Sequence, residues 1–233
     1  MKGGTIGCRL LLCGHVAVCK RRPISRVMVL TQTQSAIVVG SLLGDGAMRC
    51  KTNALLEVNH SAAQAIYVDW KYRNLVDLVR TPPKKRNGNG KRVAYRFVTR
   101  SLPELTPFYR DFYKGGKKCV PDNLELTPLA LAVWFMDDGC KSRTSGYLNT
   151  QQFSEADQER LLVILLARFG ICATLNRDKA YKRIRLAVRS VPVFVGLVTP
   201  YVLSAMRYKL PIAMTQLRDG DLVREVHILN ELE

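Results

Sequence analysis

Two apolar stretches of this chain each run to an Asp-Gly pair, and that pattern limits what the chain can fold into. The clearer stretch is Leu126-Thr-Pro-Leu-Ala-Leu-Ala-Val-Trp-Phe-Met-Asp-Asp-Gly139; the other is Ser35-Ala-Ile-Val-Val-Gly-Ser-Leu-Leu-Gly-Asp-Gly46. Thr127 suits a helix N-cap and Pro128 its first turn, where the missing N–H costs nothing. Gly139 suits the helix end. A carboxylate at that end is disfavoured by the helix dipole and adds nothing to an apolar core. Two such ends predict a paired site.

Asp45 and Asp138 are 93 residues apart, and the same shift carries Gly46 onto Gly139 and Ser61 onto Ser154. A helix-like segment follows each serine, over 62–79 and 155–169. Gly40 and Gly44 share one face of the first helix and leave it nearly bare, so a second helix backbone can come close. The second motif helix is the expected partner, and such packing brings the two terminal aspartates together.

At 233 residues the chain can bury a full core, and 47% apolar content is that of a globular protein. Lys+Arg number 36 against 19 Asp+Glu, a net charge of +17. That excess repels itself unless an anion binds, and nucleic acid is the usual partner. Seven cysteines, an odd number without a Cys-x-x-Cys pair, argue against a disulfide framework and for a reducing interior. The cluster Cys8, Cys13, His15 and Cys19 fits no common zinc spacing. The apolar run before Lys20-Arg21-Arg22 is too short to span a bilayer and lacks a convincing cleavage site. The expectation is an intracellular protein, in a bacterial cytoplasm or an organelle interior, that is not secreted and has no membrane partner.

Along the chain, Met48 to Lys51 and Ala54 to Asn59 read as a hairpin with Arg49 and Lys51 on one face. A helix is expected from Ser61 to Arg80, with Ile66, Trp70, Leu75 and Val79 on its apolar side. Residues 84–91 read as a basic turn with Asn-Gly chemistry. The strand from Arg92 to Arg100 sets Val93, Tyr95, Phe97 and Thr99 against Arg92, Arg96 and Arg100. A helix near Leu105 to Tyr113 and a linker through Pro121 close the first half. The second half repeats the plan: a polar hairpin with Lys141 and Arg143, a strand over 147–152, and a helix over 154–170. A strand over 179–188 follows, with Ile184, Leu186 and Val188 inward and Arg183, Arg185 and Arg189 outward. An apolar helix over 191–201 ends it. The division is an extension (1–30) expected to be disordered, two halves (31–123 and 124–212) and a tail (213–233). Each half is helix, two strands, helix, two strands, helix. The arginine-rich faces read as a surface for phosphates and bases.

The motifs Val38-Val-Gly-Ser-Leu-Leu-Gly-Asp45-Gly46 and Leu131-Ala-Val-Trp-Phe-Met-Asp-Asp138-Gly139 resemble those of the LAGLIDADG homing endonucleases of the single-chain, two-motif type. The resemblance extends to Lys117-Lys118-Cys-Val-Pro121, Leu148-Asn-Thr-Gln-Gln-Phe-Ser154 and Tyr208-Lys209-Leu-Pro211, and covers roughly residues 34–212. The first motif departs at Ser41 and Leu43, where the family has Leu and Asp, and the second at Val133, where it has Gly. The resemblance implies an α+β fold: two pseudo-symmetric αββαββα halves packed through the motif helices into a saddle over duplex DNA. It also implies a monomeric, site-specific double-strand DNA endonuclease encoded by a mobile intron. The alternatives are an intron RNA-splicing maturase and a non-catalytic DNA-binding regulator on the same fold.

Two carboxylates with no histidine nearby in sequence are poor nucleophiles but good ligands for a hard cation, Mg²⁺ or Mn²⁺. By the resemblance, Asp45 and Asp138 are the metal-binding catalytic acids, with Gly44 and Asp137 adding metal contacts through their carbonyl groups. Lys118 and Lys209 match lysines that the family places around the metals. Base and phosphate contacts are expected from Arg49, Lys51, Arg92, Arg96, Arg100, Lys141, Arg143, Arg183, Arg185 and Arg189.

Overall fold

The first motif helix, α1 (Gln32–Leu43), starts at Thr31 with a reciprocal cap: the Thr31 hydroxyl accepts the Gln34 N–H and the Gln34 side chain accepts the Thr31 N–H. The computed structural model describes residues 29–88 and 92–211. The Cys8–Cys19 cluster, residues 1–28 of the extension, the 213–233 tail and positions 89–91 of the basic turn lie outside the described residues.

After α1 come β1 (Ala47–Cys50), β2 (Ala54–Ser61), α2 (Ala65–Asn74), β3 (Lys84–Asn87), β4 (Val93–Val98) and α3 (Thr106–Phe112). A small hairpin of β5 (Tyr113–Lys114) and β6 (Lys117–Lys118) leads into the second half. That half has α4 (Pro128–Asp138), β7 (Gly139–Lys141), β8 (Gly146–Leu148), α5 (Glu155–Phe169), β9 (Ala173–Asp178), β10 (Tyr181–Leu186) and α6 (Val191–Val198). The two four-stranded antiparallel sheets have matching orders, β1-β2-β4-β3 and β7-β8-β10-β9. Both halves are thus αββαββα, as the repeat predicts.

The halves meet through α1 and α4. Every residue from Ala130 to Met136 is fully buried, so α4 has no solvent face and its apolar composition follows. Contact is close enough to demand glycine. A Cβ on Gly40 would lie 2.5 Å from the Ala130 carbonyl oxygen, and one on Gly44 would lie 2.4 Å from Asp137 Cβ. The bare face expected at these two glycines is therefore filled by α4.

Several local expectations need correction. The helix predicted over 61–80 is broken: a 3-10 turn (Ala62–Gln64), then α2, then a second 3-10 turn (Val76–Leu78). Its buried side is Tyr67, Val68 and Lys71, while Ile66 is exposed. The pattern misled because a lysine occupies the inward face, where Asp137 neutralises it. Lys84–Asn87, read as part of the basic turn, is a strand paired to β4. The segment read as a linker is the β5–β6 hairpin, turned by Gly115 and Gly116 at positive φ. Val188 is exposed because β10 ends at Leu186 and a 3-10 turn follows.

Among the described residues no helix is long and apolar enough to cross a membrane. Cys50, Cys119, Cys140 and Cys172 are free.

Candidate nuclease site

The packing of α1 on α4 sets both helix ends, with Asp45 and Asp138, side by side at one edge of the interface. The Asp45 side chain is about half exposed at 47%. Burial raises its pKa above the ordinary carboxylate range, and the Asp137 charge adds to the rise. Asp138 is pushed up to about 7, first by burial and then by Asp45 and Asp137. Each acid thus feels a neighbouring carboxylate on top of its burial.

A hairpin and a 3-10 turn (Ser204–Lys209) supply the cations. The β5–β6 hairpin delivers Lys118, whose Nζ donates to the carbonyls of Gly44 (2.8 Å) and Gly46 (2.9 Å) and to Gln152 Oε1 (3.0 Å). Burial lowers its pKa to about 8 against the pull of the three aspartates. Lys209 does the same at the other motif, donating to the carbonyls of Met136 and Asp137, and burial lowers its pKa too. Each lysine therefore caps the carbonyl end of its own motif helix, which offsets the unfavourable dipole. Both lysines expected at the site are there.

Asp137 takes a different place from its neighbour. Its side chain is fully buried and turns into the first half, in the space Gly44 leaves. Lys71 Nζ donates to both of its oxygens (2.8 and 3.0 Å) and the Tyr67 hydroxyl donates to one at 2.6 Å. His60 Nε2 lies 3.5 Å from the same oxygen, and His60 Nδ1 lies 3.5 Å from Asp45 Oδ2. Burial, with Lys71 next, lowers the His60 pKa to about 4, so the imidazole is neutral at pH 7. Burial and Asp137 push the Tyr67 hydroxyl well above its ordinary value.

Four groups here were missed by sequence reasoning. His60 lies outside both motifs in sequence, yet β2 carries it against Asp45. Tyr67 and Lys71 are four apart on α2 and face the interface together. Gln152 donates to the carbonyls of Leu43 (3.1 Å) and Gly44 (3.2 Å) and reaches Asp138 Oδ2 at 3.4 Å. A lone lysine on an otherwise apolar face was the one available signal.

The candidate basic residues fall at different places on the two sheets. In the first sheet Arg49, Glu57, Asn59, Arg96, Lys84 and Arg86 share a face by register. Glu57 holds Arg49 (2.7 Å) and Arg96 (3.1 Å), and Arg92 lines a depression of about 1090 Å³ that begins at Asp45. Lys51 and Arg143 are exposed in the adjoining turns. Arg100 lies past the strand end and donates to the Asp77 carbonyl. In the second sheet Arg183 and Arg185 share a face with Tyr147, and Arg183 stacks on its ring at 4.1 Å. Lys141 falls in register with Gly146, on the face of Leu148, at an exposed strand end. Arg189 sits in a 3-10 turn and donates to Cys172 Sγ.

Asp45 and Asp138 fit a divalent cation. Among the described residues no three His, Cys, Asp or Glu side chains form a metal cluster, so the protein offers two carboxylates. A hard cation is commonly held by one or two carboxylates, with water and phosphate oxygens completing its shell. Burial first, and neighbouring acids second, raise both carboxyls, and a cation's charge would offset both effects.

A family model described as the LAGLIDADG DNA endonuclease family matches residues 35–194. The chain is 34% identical over 211 residues to protein RecA of Mycobacterium gastri, covering 80% of this chain and 49% of that one. It is 30% identical over 203 residues to the cytochrome b mRNA maturase bI2 of Saccharomyces cerevisiae, covering 75% and 46%. It spans about half the length of these curated relatives. The homing endonuclease I-WcaI, solved bound to its DNA recognition sequence, superposes with a TM-score of 0.74 at 25% identity, covering 80% of this chain and 89% of that one. Mesophilic variants of I-DmoI share the fold at a TM-score of 0.50 and 12% identity, covering 71% and 94%. With its two Asp-Gly helix ends and its paired αββαββα halves, the chain belongs to the LAGLIDADG DNA endonuclease family.

Proposed function

We propose that this protein is a site-specific endonuclease that cuts both strands of duplex DNA with divalent metal, Mg²⁺ or Mn²⁺, at Asp45 and Asp138. The observation that carries this reading is the pairing of two partly exposed, charge-stressed carboxylates between two sheets with arginine-bearing faces. The DNA-bound state of I-WcaI supports duplex DNA as the partner. A divalent cation held there would lower the pKa of a water and offset charge on the leaving oxygen.

The chain's own residues do the rest. Asp45 and Asp138 would hold the cations, and Gly44 and Asp137 offer carbonyl oxygens, each already accepting from a lysine ammonium. The Asp137 carboxylate is committed to Lys71 and Tyr67, so Asp137 enters only through its backbone. Lys118 and Lys209, fixed on the helix ends, place positive charge where a phosphate gains charge in the transition state. The outward arginines and lysines, with Arg49, Arg96, Arg183 and Arg185 on the strand faces, hold the duplex; bidentate guanine contacts are within their chemistry. The protein acts as a monomer because one chain carries both halves.

The test is Mg²⁺-dependent cleavage of a randomised duplex library, with the cut ends sequenced. Discrete long sites with staggered ends are expected; a folded protein that cuts nothing refutes the reading. Asp138→Asn is expected to keep DNA binding and lose double-strand cleavage. The yeast bI2 relative favours a second reading, intron RNA binding in splicing, which an RNA-binding assay with the host intron decides.

A further inference from the structure

The two halves share a plan but do not hold their aspartates in the same way. Asp45 Oδ2 faces His60 Nδ1 at 3.5 Å, and the His60 side chain is only 2% exposed. The ring is fixed from behind: it packs on Tyr67 with centroids 5.2 Å apart, and its Nε2 faces Asp137 Oδ1 at 3.5 Å. Asp137 in turn is locked by Lys71 and Tyr67. The Asp137 Oδ1 that Nε2 faces already accepts from Lys71 and Tyr67, so the Nδ1 edge is the one turned to Asp45.

Asp138 meets a flexible amide. Gln152 Nε2 approaches its Oδ2 at 3.4 Å while also donating to the carbonyls of Leu43 and Gly44. The same 93-residue shift that relates the motifs places Phe153 opposite His60 and Asn59 opposite Gln152. Phe153 is buried and lies under Lys118, with Nζ 5.8 Å from the ring centroid, and Asn59 is exposed. Neither device therefore has a counterpart in the other half.

Resting on the endonuclease reading, we propose that His60 is a positioning residue for Asp45 with no counterpart at Asp138, so that one strand cut can be weakened apart from the other. The consequence is a separable nick. Residues that orient a metal ligand typically change metal affinity or activity by about 10- to 100-fold when removed. His60→Phe supplies the ring found at the matching place in the second half and removes the N–H.

The experiment has two arms. In the first, a target duplex labelled on both strands is cut under single-turnover conditions. His60→Phe is expected to slow one strand about tenfold or more with the other little changed. His60→Gln, which keeps an N–H donor, is expected to restore both and guards against a variant that fails to fold. In the second arm, Mn²⁺ binding to the DNA-free protein is followed by electron paramagnetic resonance. His60→Phe should weaken binding in an Asp138→Asn background, where Asp45 remains, and leave it unchanged in an Asp45→Asn background. Equal slowing of both strands, or equal change of Mn²⁺ affinity in both backgrounds, overturns the proposal. If the wild-type protein cuts neither strand, the endonuclease reading fails, and the Mn²⁺ arm alone decides the positioning role: an effect confined to the Asp138→Asn background upholds it, and anything else overturns it.

Discussion

Lys71→Met should be among the most destabilising single changes in this chain. The lysine is fully buried and its ammonium touches both oxygens of Asp137, which is equally buried. It also lies 4.7 Å from the centroid of the Tyr67 ring. Methionine fills the stem but leaves the Asp137 carboxylate with the Tyr67 hydroxyl and the His60 edge. Removing one partner of a buried ion pair costs about 3–5 kcal/mol, because the other charge stays buried uncompensated. For a chain of this size about 2–4 °C of Tm goes with each kcal/mol, so the expected fall is roughly 6–20 °C. Thermal and urea unfolding in the presence of chelator, with metal excluded, measure it. Salt should change the loss little, since buried pairs are screened weakly. Lys71→Met combined with Asp137→Asn should recover a large part of the loss, giving a coupling energy of about 2 kcal/mol or more. Strict additivity of the two changes, or a loss under about 1 kcal/mol for Lys71→Met, would refute the account of the pair.

Other outcomes follow from the same geometry. Gly40→Ala puts a methyl 2.5 Å from the Ala130 carbonyl oxygen and 2.6 Å from Val133 Cβ, so α1 and α4 must part; a loss of about 1–3 kcal/mol is expected by urea unfolding. Asp138 has its pKa raised in the fold to about 7, so metal-free stability should fall as pH rises from about 4 through 7 and recover with added Mg²⁺; melting at pH 5, 6, 7 and 8 with and without Mg²⁺ checks this. Mg²⁺ affinity should rise over the same interval, since the cation must displace the Asp138 proton, and a pH-independent affinity from 5 to 8 contradicts it. Glu57→Ala frees Arg49 and Arg96 together, so the preferred bases beneath β1 and β4 should broaden in a selection from randomised sites; an unchanged site profile counts against Glu57 as their organiser.

Much of the plan could be read from the chain because its signals are local and repeated. Thr127 caps as its residue type dictates, α5 is capped by Ser154 and Gly170, and Arg96 and Arg183 fall on outward faces. Where reading failed, a distant partner had overridden a local pattern. The face of α2 was misjudged because Lys71 is charged by type and buried in fact, and only Asp137, 66 residues away, makes that tolerable. His60 was passed over because a histidine in a strand carries no signature, and its significance comes from a sheet register that sets β2 beside the end of α1. Lys118 was found by resemblance, but the hairpin that aims it looked like a linker, since Lys114-Gly-Gly-Lys reads equally as either.

The asymmetry at the heart of the interface follows from the close packing. Gly44 and Asp137 occupy matching places in the two motifs, and a Cβ on Gly44 would fall 2.4 Å from the Cβ of Asp137 and 2.8 Å from its carboxylate. An aspartate at both places would force two carboxylates into one space beside Asp45 and Asp138, whose pKa values are already raised. A glycine at both would leave Lys71 buried with no counter-charge. One glycine and one aspartate satisfy both demands, and they do so only if the half that supplies the aspartate faces the half that supplies Lys71, Tyr67 and His60. Packing between two copies of either half would break the cluster at a cost of several kcal/mol per unpaired charge. The buried pair thus selects the pairing of unlike halves, and the same residues that enforce it put His60 against Asp45. Specificity of assembly and inequivalence of the two acids have one physical source, the close approach of the motif helices at Gly44.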